Sequence, residues 1–113
     1  MGRTSKISES PPEAVKSALR RLGGNIKTAR LRRRLSQKEL AGRIGISRYV
    51  LADVEKGKPS TSIAAYIGAL WALSLLNQLQ DLADPDHDEE GKILERSRAP
   101  WTAPKRQRLD DDF

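Results

Sequence analysis

Apolar residues recur early in the chain at helical intervals. Val15, Leu19, Leu22, Ile26 and Ala29 fall at steps of four, three, four and three, which keeps them on one face of a helix. The Pro11-Pro12 pair suits its start, because proline is tolerated in the first helical turn. The register passes through Gly23-Gly24 and leaves two readings: one long helix weakened at the glycines, or two helices with Asn25 capping the second. Glycine is a poor helix former, so a break or kink is expected there.

Further on the pattern shortens. Leu35 and Ser36 close the first helical stretch, and Ser36 with Glu39 makes the S-x-x-E capping box that opens another. Leu40, Ala41 and Ile44 share one face of this second helix, and Gly45 follows where the chain must leave through a left-handed conformation. Ser47 is placed to cap a third helix carrying Val50, Leu51 and Val54, which runs to Lys56 and closes at Gly57 before Pro59.

Residues 61–83 differ in kind. Ile63, Ile67, Leu70, Trp71, Leu73, Leu75, Leu76, Leu79 and Leu82 stand among almost no charges, with a capping hydroxyl available at Ser60 to Ser62. So wide an apolar surface cannot all face one small core, so a break near Trp71 to Ser74 is expected, with part of the block meeting another chain. From Asp84 onward, prolines, an acidic cluster and a later basic run predict a mostly extended tail, with a short helical turn available around Lys92 to Arg98. The expected organisation is a mobile tail over 1–10, a helical domain over 11–83 and an extended C-terminal tail over 84–113.

Charge sharpens this division. The net charge is +6, yet residues 1–34 hold ten Lys/Arg against two Glu, whereas residues 84–95 hold one Lys against six acids. A basic front half suits a polyanion, since cations that neutralise phosphates release condensed counterions; a solvated basic surface is the plain alternative. The chain has no cysteine, which removes disulfides, thiolate metal sites and cysteine nucleophiles together. No apolar run is long enough for a bilayer span or secretory signal, so a soluble, cytoplasmic protein without membrane partners is expected.

Two helices crossing steeply through a short turn need a small residue at their approach, a flexible residue in the turn and apolar residues facing inward. Ala41, Gly45, and the set Leu40, Ile44, Ile46, Leu51 and Val54 supply these. The stretch Leu35-Ser-Gln-Lys-Glu-Leu-Ala-Gly-Arg-Ile-Gly-Ile-Ser-Arg-Tyr-Val-Leu-Ala-Asp-Val-Glu-Lys-Gly resembles the Xre/Cro-type helix-turn-helix of phage repressors and bacterial regulators. The resemblance runs from about Leu22 to Leu73. It implies an all-α, five-helix, lambda-repressor-like bundle with its third helix in the major groove. To this fold the present chain is expected to add an N-terminal helical extension and a mostly disordered C-terminal tail.

Mapped onto these residues, the resemblance implies that Gln37 anchors a phosphate at a helix N-terminus. Ser47, Arg48, Tyr49 and Asp53 are expected to meet base edges. Arg48 suits guanine O6 and N7; Tyr49 suits a thymine methyl or a phosphate; Asp53 suits cytosine N4 or the orientation of Arg48. Arg43, Lys56 and Lys58 are expected on phosphates, where charge matters more than geometry. Arg30 and Glu55 match positions that form a structural ion pair in phage repressors. Arg32-Arg33-Arg34 suits a helix end stabilised by the C-terminal dipole.

A single recognition helix reads few base pairs, so a homodimer on a palindromic operator is expected, with Trp71, Leu75, Leu76 and Leu79 as candidate interface residues. The segments Leu70-Trp-Ala-Leu and Leu82-Ala-Asp-Pro-Asp-His-Asp-Glu-Glu-Gly-Lys, with the later Ala-Pro and Lys-Arg pairs, resemble HipB-like antitoxins, which pair with HipA-type kinase toxins. This resemblance implies an autoregulating repressor that binds a toxin, with Trp101 as a candidate anchor in the partner's pocket. A free-standing phage-type repressor, and an antitoxin acting mainly by sequestration, stay open.

Catalytic and cofactor chemistry finds no footing. Asp84, Asp86, Asp88 and Glu95 match calcium-loop positions, but Glu89 stands where the sharp turn needs glycine and Pro85 stiffens the start. His87 has no thiolate or second imidazole to share a metal and suits a solvated loop. Serines lack a histidine base nearby, so no enzyme, cofactor or metal site is expected.

Overall fold

The computed structural model describes residues 5–98, which are all helical or connecting. The elements are α1 (Lys6–Glu9), α2 (Glu13–Arg32), α3 (Gln37–Ile44), α4 (Arg48–Lys56), α5 (Ile63–Ala72), 3-10 turns at Leu76–Asp81 and Pro85–His87, and α6 (Glu89–Ser97). The chain divides into a first unit ending at Leu79 and a second beginning at Gln80. Among the described residues, no helix is long and apolar enough to cross a membrane.

The expected break at Gly23-Gly24 is absent: α2 is one continuous helix through both glycines. Its reason is tertiary. Gly23 is buried against the backbone at the end of α4, where a β-carbon would stand 2.7 Å from the Glu55 carbonyl oxygen and 2.8 Å from the Gly57 nitrogen. Gly23 thus lets two helices touch at backbone level, and its helical cost is offset by that approach. Gly24 faces open space.

Local capping sets the remaining boundaries. α2 ends at Arg32, and Arg33 Nη1 donates to the Ala29 carbonyl, satisfying one orphan acceptor of the last turn. The Ser36–Glu39 capping box forms in both directions: the Glu39 amide donates to Ser36 Oγ at 3.0 Å, and the Ser36 amide donates to Glu39 Oε1 at 2.8 Å. Gly45 sits at φ 90°, the left-handed conformation that turns the chain from α3 towards α4. Ser62 caps α5, accepting from the Ala65 amide.

The core of the first unit joins Ile26 and Ala29 of α2, Leu40 and Ala41 of α3, Leu51 and Val54 of α4, and Ala65, Tyr66, Ala69 and Leu70 of α5, with Leu73 behind it. α4 packs against α2, α3 and α5, so it is supported by every long helix of the first unit. The expected break after Trp71 occurs: α5 stops at Ala72, Ser74 has φ 63°, and the next element is a 3-10 turn rather than a second α-helix.

Two expectations change at the ends. Residues 6–9, expected within a mobile tail, form a helical turn capped by Ser5. Residues 84–98, expected to be mostly extended, hold a 3-10 turn and α6, whose start is capped when the Gly91 amide donates to Asp88 Oδ1 at 2.9 Å. Asp84 and Asp88 act as turn and helix caps, which gives this acidic stretch a structural use that its composition does not reveal.

Candidate nucleic-acid interface

The site is built on a buried ion pair. Arg30 and Glu55 are only 6% and 8% exposed, and Arg30 Nε donates to Glu55 Oε2 at 2.6 Å while Nη2 donates to Oε1 at 3.0 Å. Arg30 Nη1 also donates to the Leu35 carbonyl at 2.9 Å. This fork ties α2 to the end of α4 and to the start of the helix-turn-helix, the scaffold role expected from the sequence. Its geometry is bidentate, so both charges are satisfied inside the protein.

Gln37 joins the same network. Its Nε2 donates to Glu55 Oε1 at 3.0 Å, and the side chain stays half-buried at the first residue of α3. A primary amide carries two N–H donors, so one remains for an acceptor outside the protein. The α3 N-terminus adds a favourable dipole for an anion there. Sequence reasoning assigned Gln37 to phosphate and missed this inward bond; no pattern in the sequence pairs positions 37 and 55.

α4 presents its first turn outward. Ser47 is the N-cap and accepts from the Val50 amide at 3.1 Å, so its oxygen serves the helix while its hydroxyl hydrogen remains available. Arg48 and Tyr49 are exposed, Tyr49 at 70%. They meet each other: Arg48 Nη2 donates to the Tyr49 hydroxyl at 3.4 Å, and Arg48 Cζ lies 5.2 Å from the ring centroid. Such a cation–π contact contributes roughly 0.5–1 kcal/mol at exposed sites.

Asp53 is half-buried and turned towards Lys58, whose Nζ is 3.5 Å from Oδ1. Lys58 is held in turn through its backbone, since its carbonyl accepts from the buried Tyr66 hydroxyl at 2.8 Å. Burial raises the Tyr66 pKa above the ordinary phenol value, and the Asp53 charge adds to that rise. Gly57, with φ 74°, begins this fixed loop. Lys56 and Arg43 are exposed. The Glu39 carboxyl is held below the usual carboxylate range by the Ser36 backbone hydrogen bond, then by the Ser36 side chain and the nearby Arg43.

A shallow groove between α3 and the start of α4 is lined by Lys38, Ala41, Gly42, Ile46 and Arg48. Lys38 is a cation that sequence reasoning overlooked; only its place beside Gln37 in the first turn of α3 hinted at it. Gly42 leaves the groove open, since a β-carbon there would meet nothing within 4 Å.

The interface candidates separate into two kinds. Trp71 and Leu76 are exposed, at 59% and 40%, whereas Leu75 and Leu79 are half-buried and pack against the core of their own unit. Leu75 and Leu79 thus serve the fold directly. Ile63, 71% exposed, and half-buried Ile67 precede Trp71 at intervals of four on α5 and extend its outer stripe. Trp101 lies outside the described residues.

In the second unit, Asp81, Asp84 and His87 bring one ligand-type atom each within 4.8 Å of one another, closer company than the sequence suggested for His87. The Asp84 carboxylate is already engaged: Oδ1 accepts from the Asp86 amide at 2.9 Å, and Oδ2 lies 3.8 Å from His87 Nδ1.

A helix-turn-helix family model matches residues 26–66, the segment from the buried face of α2 to the middle of α5. The match includes Arg30, Glu55, Gln37 and the whole of α3 and α4. No curated protein and no solved structure matches the chain. Residues 26–66 thus carry an Xre-like helix-turn-helix domain, a module that binds DNA.

Proposed function

We propose that this protein is a sequence-specific transcriptional repressor that binds a palindromic operator as a homodimer. The observation that carries the reading is the rigid presentation of Arg48 and Tyr49: an exposed, capped helix start on a bundle locked by the Arg30–Glu55 pair. Ser47, Arg48 and Tyr49 face base edges, with Asp53 beside them restrained by Lys58. Gln37, Lys38, Arg43, Lys56 and Lys58 hold the phosphates. Trp71 and Leu76, with Ile63 and Ile67, provide an apolar surface for the second copy.

The test is footprinting on the DNA upstream of the chain's own gene. Two protected half-sites centred about 10–10.5 base pairs apart, or a multiple of that spacing, are expected. Uniform protection without half-sites would contradict the reading.

The antitoxin role belongs to the same proposal and rests on the resemblance of residues 82–92 to HipB-like proteins. The exposed Ile93 and Leu94 of α6 offer a protein partner apolar purchase and favour this role over a free-standing phage-type repressor. A kinase-like gene beside this one is the expected genomic setting. Truncation after Ala83 is expected to preserve operator binding and to weaken binding of that kinase in calorimetry; equal affinity would remove the tail from the mechanism.

A further inference from the structure

We infer that Arg48 and Tyr49 act as one reading unit, recognising a guanine together with a thymine in the adjoining base pair. The inference rests on the proposal that the start of α4 faces base edges. A guanidinium that donates in the plane of guanine to O6 and N7 fixes the level of that base pair in the major groove. Successive base pairs are about 3.4 Å apart. The Tyr49 ring, with its centroid 5.2 Å from Arg48 Cζ, is close enough to reach the neighbouring pair while the guanidinium holds the guanine.

Chemistry then selects the neighbour. Of the bases, only thymine offers an apolar group in the major groove, its C5-methyl. Tyr49 is 70% exposed with an apolar ring body, and its hydroxyl already accepts from Arg48 Nη2 at 3.4 Å. That bond favours use of the ring, rather than the hydroxyl oxygen, for the adjacent base. Asp53 does not compete for Arg48, because its carboxylate turns to Lys58 at 3.5 Å. The contact between the two side chains restrains each of them, which lowers the ordering cost of binding.

The experiment is selection from random duplexes with the full chain, followed by anisotropy titrations on the enriched site. A guanine–thymine step is expected in each half-site. Replacing that thymine with deoxyuridine removes only the methyl and should weaken binding about fourfold. Tyr49→Ala should abolish the deoxyuridine effect while guanine preference persists, and Tyr49→Phe should keep the effect. Arg48→Ala should lose guanine preference by about tenfold or more. Circular dichroism checks that each variant is folded. An enriched site without the step, or a deoxyuridine effect absent from the wild type or unchanged in Tyr49→Ala, overturns the inference while leaving specific DNA binding intact. Failure to enrich any sequence overturns specific DNA binding itself, and the inference with it.

Discussion

The backbone carbonyl of Glu55 occupies the space beside Gly23 in which a side chain would begin, 2.7 Å from where a β-carbon would lie. The residue that holds the acidic end of the buried ion pair also sets how closely α2 can approach α4.

This makes neighbouring glycines opposite in effect. Gly23→Ala must push α4 away and is expected to destabilise the domain by about 1–3 kcal/mol, the usual cost of overpacking. Gly24→Ala adds a methyl in open space within a helix and should stabilise it by up to about 1 kcal/mol. Urea denaturation of the two variants measures both signs.

The Arg30–Glu55 pair predicts a second asymmetry. Glu55→Ala leaves a buried guanidinium without its partner and should cost about 3–5 kcal/mol. The double variant Arg30→Met with Glu55→Leu removes both charges and should recover much of that loss. Denaturant midpoints for single and double variants check the coupling. Glu55→Ala also releases Gln37, so the salt dependence of DNA binding should be compared where the variant remains folded.

The capping box carries a pH dependence. The Glu39 pKa is lowered in the folded chain, so the carboxylate's contribution is fully present above the ordinary glutamate value of about 4.5 and is lost as pH falls through the lowered folded value. The acid limb of the stability curve should therefore be shallower in Glu39→Gln than in the wild type. Denaturation between pH 2 and 6 measures the difference, following the order of magnitude in which carboxylates titrate.

Substitutions on α5 can test the proposed assembly apart from folding. Trp71→Glu alters an exposed side chain and should change stability by no more than about 0.5 kcal/mol while converting a dimer to monomer in light scattering. Leu79→Glu places a charge against the domain's own core and should lower stability itself. A wild-type monomer at tens of micromolar by order of magnitude would remove the dimer from the account.

The helix-turn-helix was legible because its signals are local. Ser36, Glu39, Gly45, Ser47 and Gly57 each report a cap or turn through a few neighbouring residues, and they fall in the structure where their chemistry requires. Gly23 was misleading because its reason lies in a helix some thirty residues away, which intrinsic propensity does not register. Leu75 and Leu79 share the apolar character of Trp71, and only packing distinguishes inward from outward residues. The Gln37–Glu55 bond and the Arg48–Tyr49 contact likewise depend on side-chain placement. α6 was obscured by acidic residues that serve as caps rather than as signs of an extended chain.

On the proposed function, the exposed start of α4 reads DNA sequence. An electrophoretic shift assay on the footprinted operator, with excess nonspecific competitor, tests it by comparing the wild type with Arg48→Ala. The folded variant is expected to lose about tenfold or more in specific affinity while its nonspecific binding changes little, the result of losing a bidentate base contact. Unchanged specific affinity in the folded variant would contradict it.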